Sequence, residues 1–148
     1  MEIRIAIRRF PHAWPDLPSY ASAGAAGMDL RVTVRGPAVI EPGSRAVIPT
    51  GFAVAIPSGF EGQIRMRSGV ALEKGLLMPN APATIDSDYR GEVQVIVANI
   101  GTETVILQPG ERFAQLVISP VARVQWEEVA ELPESARGEG GLGSTGRT

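Results

Sequence analysis

Seventeen glycines and twelve prolines interrupt this 148-residue chain too often for long helices, and they recur at intervals suited to strands. Turn signals stand at Pro42-Gly43, Pro57-Ser58-Gly59 and Pro109-Gly110. Between such signals the apolar period is two. Ile3, Ile5 and Ile7 alternate with Glu2, Arg4 and Arg8, and Val93, Val95 and Val97 alternate with Glu92, Gln94 and Ile96. Further β-rich runs cover 45–48, 52–56, 63–66, 104–107, 112–118 and 121–129. Many short strands at this spacing predict an all-β sandwich or barrel. Only residues 69–74 (GVALEK) look helical, with Ser68 placed as an N-cap and Gly75 as a stop. From Glu131 the strand signal fades through LPESA into RGEGGLGSTGRT. The expected organisation is therefore one β domain over residues 1–132 and a C-terminal arm over 133–148, disordered on its own because it has too little apolar surface to offset its ordering entropy.

Composition removes several classes of function. Without cysteine there are no disulfides, thiolate metal sites or cysteine nucleophiles, which suits a reducing cytosol. One histidine and no cysteine argue against zinc. A net charge of −2 supplies no global basic field for nucleic acid, so an anionic ligand must be gripped by a few local arginines. The N-terminal alternation is not a signal peptide, and no apolar run approaches the ~18 residues of a membrane span. These features predict a soluble, cytoplasmic protein without nucleic-acid or membrane partners. His12, between prolines, reads as inert, and Trp14 and Trp126 read as packing residues.

Four segments carry polar residues suited to chemistry. In RMRSGVALEKG (65–75) an arginine, a serine and a glycine precede the short helix, either as an anion site or as an ordinary capped helix. In NAPATIDSDYRGEVQV (80–95) Asp86 and Asp88 would share a strand face. There one carboxylate could act as a general base, both could bind a hard cation, or both could be solvated in a hairpin. AGAAGMDLRV (23–32) places Asp29 between a small-residue loop and a strand, and PGERFAQLVI (109–118) places Gln115 within an apolar strand. The glycine-rich tail spaces Gly138 and Gly143 like the fixed glycines of a P-loop, but lacks its lysine and any following helix.

In order, AGMDL, RSGVA, IDSDYRGE, PGERFAQL and RGEGGLGSTG resemble the five motifs of the homotrimeric deoxyuridine triphosphatases over nearly the whole chain. The resemblance implies a jelly-roll-like β fold with one short helix, three protomers around an axis, and active sites between subunits closed by a neighbour's flexible C-terminal arm. It implies hydrolysis of dUTP to dUMP and pyrophosphate with Mg²⁺ on the triphosphate, supplying dUMP for thymidylate synthesis and keeping uracil out of DNA. By the same resemblance Asp86 is the general base, Tyr89 lies against the deoxyribose, and Asn80 with the backbone at Thr84, Ile85 and Asp86 reads uracil. Arg67, Ser68, Gly69 and Gln115 would hold phosphates, with Gln94 a further substrate contact. Asp29 would anchor Mg²⁺ through water, and Arg137, Gly141, Leu142, Ser144 and Thr145 would close over base and γ-phosphate. Two other functions fit the same chain: a dCTP deaminase-type relative of this fold, and a nucleotide-binding trimer without turnover.

This chain departs from the family pattern at Ala83, Met66 and Leu142, whereas the proline at Pro82 is not foreign to the family. Ala83 stands where glycine is usual, Pro82 removes an amide donor from the uracil hairpin, and Met66 replaces a frequent proline. Leu142 stands where the arm usually carries an aromatic residue. Aromatic stacking on a base is worth about 1–3 kcal/mol. Leu142→Phe is therefore expected to lower KM for dUTP; an unchanged or raised KM in steady-state kinetics refutes the stacking argument.

Overall fold

The period-two pattern becomes a jelly-roll-like β structure. The computed structural model describes residues 2–141. Among these, the strands are β1 (Ala6–Arg9), β2 (Met28–Arg31), β3 (Ala38–Ile40), β4 (Arg45–Pro49), β5 (Phe52–Ala55) and β6 (Phe60–Met66). The helix α1 (Ser68–Lys74) follows, then β7 (Leu76–Leu77), β8 (Ala83–Ile85), β9 (Gln94–Asn99), β10 (Val105–Leu107) and β11 (Arg112–Pro120). They assemble as a four-stranded sheet β2-β11-β6-β8, a three-stranded sheet β4-β9-β7, and the pairs β1-β5 and β10-β3. Every pairing is antiparallel. No helix among the described residues is long and apolar enough to cross a membrane.

Alternation decides which side chains fill the interior. Along β9, Val95, Val97 and Asn99 point inward while Gln94 and Ile96 are exposed. Val95 and Val97 meet Ile64, Leu107 and Phe113 in a core from which water is excluded. Asn99 is tolerated there because its polar atoms are paired. Its Nδ2 donates to the carbonyls of Ile40 (2.9 Å) and Glu103 (2.8 Å), and its Oδ1 accepts from Gly101 N–H (2.9 Å). The three glycines of the turn signals, Gly43, Gly59 and Gly110, have φ of 74°, 87° and 81°. At Gly110 a Cβ would also collide with the indole of Trp14, which packs as expected.

Several expectations shift. The first strand occupies Ala6–Arg9, not the Ile3–Ile7 run, because pairing is dictated by β5, with Ile7 opposite Val54. Arg67, not Ser68, sits at the N-cap; Ser68 is the first helical residue and makes no capping bond. Gly75 does end the helix, in the left-handed region at φ 63°. The strand expected over 121–129 is absent. β11 ends at Pro120, Val121 N–H donates to Gly59 O (2.9 Å), and residues 121–129 are exposed with no ladder partner in this chain. Trp126 is 90% exposed and does not pack. Strands β3, β7 and β8 are too short to show a clear period, and β10, equally short, is legible only as part of the β-rich run 104–107.

Candidate active site

Strand register brings three of the sequence motifs together. β11 lies between β2 and β6, so Gln115 faces Asp29 on one side and Arg65 on the other. β6 then delivers Arg67 to the start of α1, where its N–H donates to Phe113 O (3.1 Å). The Asp29 carboxylate is the hub. Its Oδ1 accepts from Gln115 Nε2 (3.2 Å) and lies 3.3 Å from Arg67 Nε, while its Oδ2 accepts from Arg112 Nη1 (3.1 Å). Because that side chain is only 11% exposed, the carboxylate orients both guanidinium groups more firmly than a surface pair would. The small-residue loop allows this closeness, since a Cβ on Gly27 would press on the Gln115 side chain at 3.2 Å.

Above Asp29 opens a cleft lined by Arg31, Arg67, Ser68, Gly69, Arg112 and Gln115, among others. Gly69 leaves its backbone open to close approach, and the Ser68 hydroxyl is not used in capping. Its lining is mixed, with Arg31, Arg67, Arg112 and Lys74 beside Glu73 and Glu111, and its arginines could pair with an anionic ligand. Arg112 and Arg31 were missed from sequence. In a regular strand Arg112 and Gln115 face opposite ways, but the register slips between Arg112 and Ala114, so both reach Asp29. Two consecutive buried residues, Phe113 and Ala114, are the trace that slip leaves in the burial pattern.

A second cleft is lined by Thr84, Ile85, Asp86, Tyr89, Glu92 and Gln94, with Val47 and Ile96 at its apolar side. β8 pairs with β6 and ends at Ile85, and a turn follows in which Tyr89 N–H donates to Asp86 O (3.1 Å). Asp86 and Asp88 thus lie in a turn rather than on one strand face. Asp86 borders this cleft and a neighbouring one, whereas Asp88 borders only the neighbour, beside Glu61. Among the described residues no group of three or more His, Cys, Asp or Glu could hold a metal ion. The Tyr89 hydroxyl donates to Glu92 O (2.9 Å), and its ring lies so close over Gly91 that a Cβ there would collide with it. Arg90 stiffens the turn by donating to Ser87 O (2.7 Å) and Tyr89 O (2.8 Å). Ala83 is buried on the core side, so its departure from the family pattern is absorbed inside the sheet. Asn80 is exposed in the preceding turn and does not line the cleft.

The two clefts have no lining residue in common. Arg137 reaches neither, because its Nε donates to Gly140 O (2.7 Å) within its own turn. Gly141 is exposed, and Leu142, Ser144 and Thr145 lie outside the described residues. His12 has a side-chain partner: its Nε2 lies 2.7 Å from Glu92 Oε1.

The dUTPase family model matches residues 14–146. The chain is 55% identical over 133 residues to the deoxyuridine 5'-triphosphate nucleotidohydrolase of Rhizobium etli strain CFN 42, covering 88% of this chain and 85% of the relative. It is 50% identical over 146 residues to that of Bdellovibrio bacteriovorus, covering 99% and 98%. A dUTPase of Staphylococcus bacteriophage 80alpha, solved as a mutant with dUpNHpp, superposes with a TM-score of 0.83 at 27% identity over 97% of this chain and 99% of that one. A mutant dUTPase of S. aureus phage phi11, described with a structural Mg(II) ion, gives 0.77 at 26% identity over 87% and 98%. The chain belongs to the dUTPase family.

Proposed function

We propose that this protein hydrolyses dUTP to dUMP and pyrophosphate at sites shared between protomers of a homotrimer. The observation that supports a shared site is that the two clefts have no lining residue in common: Asp86 and Tyr89 line one, and Arg67, Ser68, Gly69 and Gln115 line the other. A nucleoside triphosphate needs both functions within one molecule's length. A second protomer that sets its arginine-lined cleft beside the Asp86 cleft supplies them together.

In this reading the hairpin backbone at Thr84–Asp86 reads uracil, with Asn80 beside it and Gln94 at the cleft edge. Tyr89 packs on the sugar, and the Asp29-held Arg67 and Gln115 orient the phosphates. Asp86 accepts a proton from a water whose oxygen bonds to the α-phosphorus as the bond from that phosphorus to the bridging oxygen breaks. Pyrophosphate leaves and dUMP remains. The protein's contribution is positioning and charge stabilisation without a covalent intermediate. Mg²⁺ carried on the triphosphate would neutralise part of its charge. Asp29, already paired with Arg67, Arg112 and Gln115, would anchor that ion through water. Arg137, Gly141, Leu142, Ser144 and Thr145 would close over the bound nucleotide. The product supplies dUMP for thymidylate synthesis, and substrate removal keeps uracil out of DNA.

Pyrophosphate release measured side by side with dUTP, dCTP, dTTP and UTP, with and without Mg²⁺, tests the reading. Release from dUTP alone, dependent on Mg²⁺, is expected. Ammonia release from dCTP would place the chain with the deaminase-type relatives, and tight dUTP binding without turnover would make it a sensor.

A further inference from the structure

Glu92 and His12 take no part in the chemistry above, yet they stand directly behind Tyr89. Glu92 Oε1 accepts from Gly51 N–H at 2.8 Å and lies 2.7 Å from His12 Nε2, while Glu92 O accepts the Tyr89 hydroxyl at 2.9 Å. Gly51 is itself immobilised. It has φ 76°, its carbonyl accepts from Phe10 N–H (2.8 Å), and the Ala13 backbone lies where a Cβ would stand. The next residue is tied down as well, with Val93 N–H donating to Phe52 O at 2.7 Å and the Thr50 hydroxyl donating to Val93 O at 2.6 Å. His12 is steadied by Phe10, whose ring centroid lies 5.7 Å away. A continuous strut therefore runs from the N-terminal loop through Gly51 and Glu92 to the phenol of Tyr89.

We infer that Glu92 and His12 are positioning residues that set the height of the Tyr89 ring and with it the exclusion of ribonucleotides. The inference rests on the assignment of Tyr89 to the sugar. A 2′-hydroxyl is rejected by contact with a surface, and such rejection weakens steeply once that surface can retreat by a fraction of an ångström. The Tyr89 turn carries its own internal bonds, but they fix its shape rather than its position against the sheet. The Glu92 peptide is held to the sheet by Val93 N–H on Phe52 O, and the Glu92 carboxylate adds a second tie outside the turn, to Gly51 N–H and His12, that resists its tilting.

The test is the ratio of kcat/KM for UTP to that for dUTP in the full-length protein, with melting temperature recorded alongside. Glu92→Ala is expected to raise the ratio about tenfold and His12→Ala about threefold, whereas Glu92→Gln, which keeps an acceptor for Gly51 N–H, stays within about threefold of wild type. Tyr89→Ala marks the loss of the contact itself. If Tyr89→Ala raises the ratio while Glu92→Ala and His12→Ala leave it at the wild-type value, the strut is refuted, even if both variants melt earlier. If Tyr89→Ala leaves the ratio unchanged, the sugar assignment falls and the strut falls with it. Should Glu92→Ala fail to fold, His12→Ala decides, since that side chain lies at the surface.

Discussion

Asp86→Asn abolishes dUTP turnover while dUTP binding stays within about tenfold of wild type: this is the largest catalytic effect expected of one substitution here. A positioned general base typically contributes about 10²–10⁴-fold to a rate, and an amide of the same shape cannot take the proton. The local structure should survive, because the bond that closes the turn runs from Tyr89 N–H to the backbone carbonyl of Asp86, not to its side chain. Asparagine is moreover as well suited to a turn as aspartate. Binding should persist because the proposed phosphate contacts, Arg67 and Gln115, line the other cleft. Pyrophosphate release at saturating dUTP and calorimetric titration of the same variant separate the two quantities. Full activity in Asp86→Asn would remove Asp86 from the chemistry.

Deletion of residues 137–148 is the second. A folded trimer with kcat lowered about 100-fold or more is expected, the scale of losing preorganised donors from a water-excluding site. The described part of the arm supports separability. Among the described residues regular structure ends at Pro120, residues 121–139 are exposed, and the Arg137 side chain bonds to the Gly140 carbonyl of its own turn. The core formed by Val95, Leu107 and Phe113 owes nothing to it. Sedimentation and circular dichroism report assembly and folding, and steady-state kinetics report the loss. Unfolding of the truncated protein would make the arm structural, and an undiminished kcat would remove it from the site.

Much of the architecture was legible because it depends on local order. The alternation that buries Val95 and Val97 is written in consecutive residues, and so is the glycine at each of the three turns. The short helix and its stop at Gly75 are also local. The ordered motifs made the family readable as well, because a site assembled from five loops and strands leaves five short signatures in sequence. Less legible were elements whose existence depends on a partner. The first strand follows β5 rather than its own isoleucines, and the apolar alternation over 121–129 makes no strand without a neighbour to complete its ladder.

The sequence by itself determined the all-β character and the turns, since both rest on local chain order, and its five ordered motifs determined the family. Only the tertiary structure decided who meets whom. The slipped register in β11 brings Arg112 and Gln115 to one carboxylate, against the alternation that should separate them. A contact across about 80 residues of sequence turns His12 from an isolated loop residue into the partner of Glu92 behind Tyr89. The two clefts that the motifs assign to one substrate have no lining residue in common. Periodicity reports which face of a strand is apolar. It carries no information about register, bulges or the distance between faces, which are settled by packing among strands remote in sequence.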